Sequence, residues 1–131
     1  EDGMSEREVI RAYYDRVIAA DFPGAGTIGD DEPRIKAVEV RGCHGNTQNL
    51  LFFSATVGDE GRLALKYECQ YCNPTMYVTA ELLHELLHGQ PLARIGEIGD
   101  DELVAALGGT SRKVLREAHV ALRLLGEALE A

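Results

Sequence analysis

The chain has 131 residues, is 45% hydrophobic, and carries 13 Lys and Arg against 22 Asp and Glu, a net charge of -9. That length and apolar content suit one domain over 1–131, with a core that needs no staples. The acidic balance and the absence of a basic run exclude a nucleic-acid partner of the phosphate-neutralising kind, and no apolar run nears the roughly 20 residues of a membrane span, so no membrane partner is expected.

The N-terminus lacks the basic-then-apolar layout of a secretory signal, and Met4 reads as the native start, with Glu1, Asp2 and Gly3 an expression remnant. Three cysteines, an odd number, suit a reducing compartment and ligand or redox chemistry better than a disulfide framework. A cytoplasmic protein is the expectation.

From Ser5 to about Ala20, Val9, Ile10, Tyr13, Tyr14, Val17 and Ile18 recur at three and four, which predicts an amphipathic helix with Ser5 and Glu8 as its capping box. "DFPGAGTIGDDEP" reads as an irregular loop. Strands follow at Arg34 to Arg41, Asn49 to Val57 and Arg62 to Cys69, the last two joined by "GDEG". In the third, Leu63, Leu65, Tyr67 and Cys69 share one face and Arg62, Ala64, Lys66 and Glu68 the other, the period of a half-buried strand. Helices are predicted from Pro74 to His88, Asp101 to Leu107 and Ser111 to near Ala131. Strands followed by helices argue for an α+β domain, with an N-terminal helix and C-terminal helices packed on a three-stranded antiparallel sheet.

In such a meander strands one and three run the same way, so their C-terminal ends share one edge. Cys43 lies just past strand one and Cys69 ends strand three, roughly 10 Å apart at the usual strand spacing, a gap that the loop "RGCHGN" can close. Cys72 follows at a spacing that lets two thiolates share a tetrahedral metal. Asn73 and Pro74 read as N-cap and first helical residue, so the positive helix end points at the thiols and should favour thiolate. Taken singly, each cysteine is equally a small buried hydrophobe.

The helix also carries H-E-x-x-H, from His84 through Glu85 to His88, a pattern that can hold zinc and supply a general base. His84 lies roughly 15 Å up the helix from the cysteines, too far for one mononuclear site. "HELLHGQPLAR" lacks the extended third histidine, which leaves Glu97 or Glu102 as distant third ligands. In the plainer reading Leu82, Leu83, Leu86 and Leu87 form the apolar stripe, Glu81, His84, Glu85 and His88 face water, and His88 and Gly89 end the helix.

Taken together, "VIRAYY", "GCHGN", "KYECQYC", "ELLHELLHGQPL" and "DDELVAALGG" resemble, over nearly the whole chain, the U-type iron-sulfur cluster assembly scaffolds of the NifU N-terminal domain, IscU and SufU kind. The resemblance implies a scaffold that holds a [2Fe-2S] cluster or zinc on thiolates, receives sulfur from a cysteine desulfurase and passes clusters to apo iron-sulfur acceptor proteins. Cys43 matches the first family cysteine, and Cys69 and Cys72 both compete for the second: the upstream spacing suits Cys69, the spacing to Gly89 suits Cys72.

The departures bear on the ligand set. Gly45 stands where the family has aspartate, and the third family cysteine, near the start of the last helix, is missing. "SRKVLREAHVAL" offers Glu117 and His119 as replacements, about 100° to either side of Ala118, so only one faces the site. His119 is preferred because Cys with His is a common zinc combination, and His44 is its rival. "LGGTS" replaces the segment read by an Hsp70 partner in one branch, which argues against that partnership, and "ADFPGAG" replaces the N-terminal signature. The expectation is a metal- or cluster-bearing scaffold on Cys43, Cys69, Cys72 and His119, without substrate turnover. Its rivals are a zinc-dependent hydrolase using His84, Glu85 and His88, and a structural-zinc interaction module that has lost cluster assembly.

Overall fold

The computed structural model describes the backbone of residues 5–41 and 47–130 and the side chains of 5–38 and 50–130. Cys43, His44, Gly45, Met4 and the proposed remnant before it lie outside the described residues. Helix α1 (Glu6–Ala19) begins at the expected capping box: the Ser5 N–H donates to Glu8 Oε1 at 2.9 Å and the Glu8 N–H to Ser5 Oγ at 3.2 Å. Its buried face is Val9, Tyr13 and Val17, while Ile10 and Tyr14 are partly covered and Ile18 stays exposed.

The strands β1 (Ile35–Arg41), β2 (Thr47–Val57) and β3 (Leu63–Gln70) form one antiparallel sheet in the order β1-β2-β3. The β2–β3 register runs unbroken from Val57 opposite Leu63 to Leu50 opposite Gln70, whereas β1 slips twice, between Lys36 and Val38 and between Val38 and Val40. Leu63, Leu65 and Tyr67 are buried as the alternation requires.

Helices α2 (Pro74–Leu87), α3 (Asp100–Leu107) and α4 (Arg112–Leu129) follow, with a short 3-10 turn at Leu92–Gly96. That turn is too short for periodicity to reveal. Central α2 packs against α1, α3, α4, β2 and β3. It is apolar almost all round for that reason: Met76, Val78, Ala80, Leu82, Leu83 and Leu87 are each 0% exposed. Each such leucine contributes about 1.5–3 kcal/mol of burial. Helix α4 turns Val114, Ala118, Ala121, Leu122 and Leu125 inward, against α2 and β1.

The outer edge of β3 is covered by the chain itself. At Tyr67 the "irregular" loop pairs with it: the Tyr67 N–H donates to Gly24 O at 3.0 Å and the Gly26 N–H to Tyr67 O at 2.9 Å. Glycine at 24 permits the approach, since a Cβ there would stand 2.6 Å from His84 Cγ. At the other end the Leu63 N–H donates to Gln90 O at 2.7 Å and the Gly89 N–H to Leu63 O at 2.8 Å. Between them the Leu65 N–H donates to His88 Nδ1 at 3.1 Å. Edge backbone groups need such partners to avoid pairing elsewhere.

Candidate metal centre at the mouth of the central helix

Strand β3 delivers Cys69 one residue before its end, and three more residues reach Asn73, the N-cap of α2, whose Oδ1 accepts from the Met76 N–H at 2.9 Å. The reversal between strand and helix is made at Tyr71, whose φ of 58° is left-handed and whose side chain is 77% exposed. An aromatic residue in that region is strained, and it persists because the sheet and the helix cap fix both flanks. The result brings both thiols to one corner, each of them partly exposed. The Cys72 thiol also points at Leu50 O, 3.7 Å away, and Gln70 O, 3.8 Å away, both weak sulfur contacts.

The proton on Cys69 is held more tightly than usual, first by its hydrogen bond with Cys72, then by burial and by the negative charge of Cys72 and Glu81. This corrects the expectation that the helix mouth would favour thiolate across the pair: Asn73 begins the helix beside Cys72, and Cys69 is back in the strand. A shallow cleft of about 290 Å³ opens on Cys69, walled by Ala25, Gly26, Thr27, Tyr67 and Tyr77. Tyr77 belongs to an aromatic group with Phe22 at 5.2 Å and with Tyr14 and Tyr67 at 6.4 Å between ring centroids. Neither the loop wall nor this aromatic group is legible in the sequence, because both are assembled from distant segments.

Near the middle of α2, Glu81 is 3% exposed, which overturns its placing among the wet residues. Its Oε2 accepts from Tyr67 Oη at 2.6 Å and from the Gly24 N–H at 3.0 Å, so the carboxylate is buried with partners rather than solvated. Burial and that carboxylate hold the Tyr67 proton firmly. The sequence signal that could have found it is an acid flanked by Ala80 and Leu82 on a helix apolar almost all round.

At the far end, the H-E-x-x-H residues are engaged in folding contacts. Glu85 Oε1 accepts from Tyr13 Oη at 2.6 Å, and His88 Nδ1 is taken by the Leu65 N–H. The His84 and His88 rings stack at 4.7 Å with an interplanar angle of 18°, and parallel rings do not converge their lone pairs on one ion. Glu97 and Glu102, the distant third ligands, both pair with Arg94.

His119 Nε2 lies 2.5 Å from Asp100 Oδ1, in the first turn of α3, and its side chain is 45% exposed. The structure pairs His119 with Asp100, not with the cysteines. Glu117, on the other side of Ala118, faces α2 and accepts from Thr79 Oγ1 at 3.4 Å, with its carboxyl pushed up by burial. Thr79 is six residues beyond the N-cap, about 9 Å up the helix, so Glu117 stands above the thiols rather than beside them. Among the described residues no group of three or more His, Cys, Asp or Glu side chains is placed to hold a metal ion. The described residues thus supply two thiols, half a tetrahedral set, with Cys43 and His44 outside them.

No helix among the described residues is long and apolar enough to cross a membrane. No protein-family model matches the sequence, and no curated protein matches it.

Proposed function

We propose that the chain is a scaffold that carries a metal ion or a [2Fe-2S] cluster as cargo on Cys43, Cys69 and Cys72, resembling the U-type assembly scaffolds, and that it takes sulfur from a cysteine desulfurase for delivery to apo acceptor proteins. The observation that carries this reading is the placement of the free Cys69 and Cys72 at one corner, where β3 ends and α2 begins. Thiolates are the ligands that suit zinc and iron-sulfur cargo. Support for Cys43 comes from the sheet. Arg41, at the end of β1, pairs with Thr47, and Thr47 lies three residues along β2 from Leu50, whose carbonyl the Cys72 thiol approaches. Three strand residues span about 10 Å, the reach of the short segment that holds Cys43.

Of the fourth donors considered, His119 would first have to leave Asp100, while Glu117 already faces α2. The scaffold needs no turnover. A metal replaces the proton that the pair holds, so loading releases protons.

Elemental analysis of freshly purified protein, followed by anaerobic reconstitution with iron and sulfide, tests the reading. The expected result is visible charge-transfer absorption that is lost in Cys69→Ala. A colourless zinc-bound protein that still depends on these cysteines would narrow the role to structural zinc. Protein that emerges metal-free and takes up neither would overturn it.

A further inference from the structure

We infer that Cys69 and Cys72 form a dithiol–disulfide couple that exchanges with small-molecule disulfides of the glutathione class, whether or not the protein ever carries a metal. The Cys72 thiol folds back over the end of β3, 3.8 Å from the carbonyl of Gln70, the residue next to Cys69, and 3.7 Å from that of Leu50, which pairs with Gln70. Both thiols are partly exposed, and no disulfide joins them. Their placement at one corner is maintained by the backbone: the left-handed Tyr71, at φ 58°, turns the chain between the end of β3 and the Asn73 cap, and each flank is hydrogen-bonded in place. The cleft of about 290 Å³ that opens on Cys69 gives an incoming disulfide a line of approach, between the Tyr77 ring and the loop at Ala25 to Thr27. The 77% exposure of Tyr71 keeps that aromatic from closing the corner.

The exchange balances without a metal. One cysteine of the pair gives up its proton and attacks a sulfur of glutathione disulfide, which breaks the S–S bond, forms a mixed disulfide and releases one glutathione thiolate that takes the proton. The second cysteine then loses its proton, attacks the protein-side sulfur, and expels a second glutathione. The protein dithiol is oxidised by two electrons, and glutathione disulfide is reduced to two thiols. Oxidised, the pair has no thiolate left to ligate, so the same corner would load cargo only while reduced.

The test uses the full chain, stripped with a chelator and equilibrated anaerobically in glutathione buffers of graded ratio, then alkylated and weighed. Trypsin leaves Cys69 and Cys72 on one peptide, because no Lys or Arg lies between Lys66 and Arg94, and Cys43 on another. The expected result is that two of the three thiols vanish together, the peptide that carries Cys69 and Cys72 loses two hydrogens, and Cys43→Ser shifts the midpoint negligibly. Cys72→Ser should stop at a mixed disulfide with glutathione that a dithiol reductant releases. A cross-link to the Cys43 peptide, a lasting glutathione adduct on the unsubstituted chain, or three alkylatable thiols at every ratio would each overturn the inference. The metal content of the untreated protein is a separate readout, so failure here and failure of the scaffold reading can be told apart.

Discussion

The two ends of α2 carry two sets of metal-competent residues, and they are spent differently. At its C-terminal end Glu85 is bonded to Tyr13, His88 to the Leu65 N–H, and the two imidazoles lie flat against each other. At its N-terminal end, among the described residues, the thiols share one corner across a strained turn, and Cys72 has two weak carbonyl contacts. A motif whose polar atoms already have strong partners is holding the fold together; a motif whose atoms have weak ones is available for chemistry. The contrast can be broken or sharpened by substitution at each end and at Glu81, midway between them.

The largest effect is expected at Glu81. Glu81→Ala leaves the Tyr67 hydroxyl and the Gly24 N–H buried without their acceptor, which should cost about 2–4 kcal/mol, read as a lower urea midpoint. Gly24→Ala comes next: its Cβ would meet the His84 ring at 2.6 Å, for about 1–3 kcal/mol by the same measurement. His88→Ala removes the acceptor for the Leu65 N–H, on a partly exposed edge, and should cost about 0.5–1.5 kcal/mol while the metal content of the purified protein stays that of the unsubstituted chain. A fall in metal content with His88→Ala and not with Cys69→Ala would reverse the comparison.

The smallest effect is a pH dependence. Burial, and then the neighbouring His88, hold the His84 imidazole below its ordinary range. The unfolded chain therefore takes up the proton first, near the usual histidine value of about 6.5, and the folded chain later. Stability is full above that value and declines as the pH falls below it. Arg16, Glu81 and Glu85 line the same cleft as this histidine. Urea midpoints compared at about pH 7.5 and about pH 5.5 should converge in His84→Gln, with most of the loss confined to the parent.

Local patterns were legible where one face of an element is dry. The alternation of β3, the Ser5 capping box and the Asn73-Pro74 start of α2 stand as the residues predict, because each is decided by neighbours within a few positions. Glu81 was misplaced since its partners, Tyr67 and Gly24, come from another strand and a loop, and helical phase sees neither. Around Ala118 the phase allowed only one of Glu117 and His119 to face the site; which one depends on whether α2 or the start of α3 lies on that side, a tertiary fact. The same holds for the loop at 24–26, whose glycines mark an approach to β3 that composition alone describes as irregularity.

A bare outer strand is a template onto which a second copy can zip, and fibres grow from such templates. Along β3 the rungs at Leu63, Leu65 and Tyr67 are already occupied from within, so an intruding strand finds no foothold there. Among the described residues the wrapping stops one rung short of Cys69, which leaves that corner reachable by visitors the rest of the edge turns away.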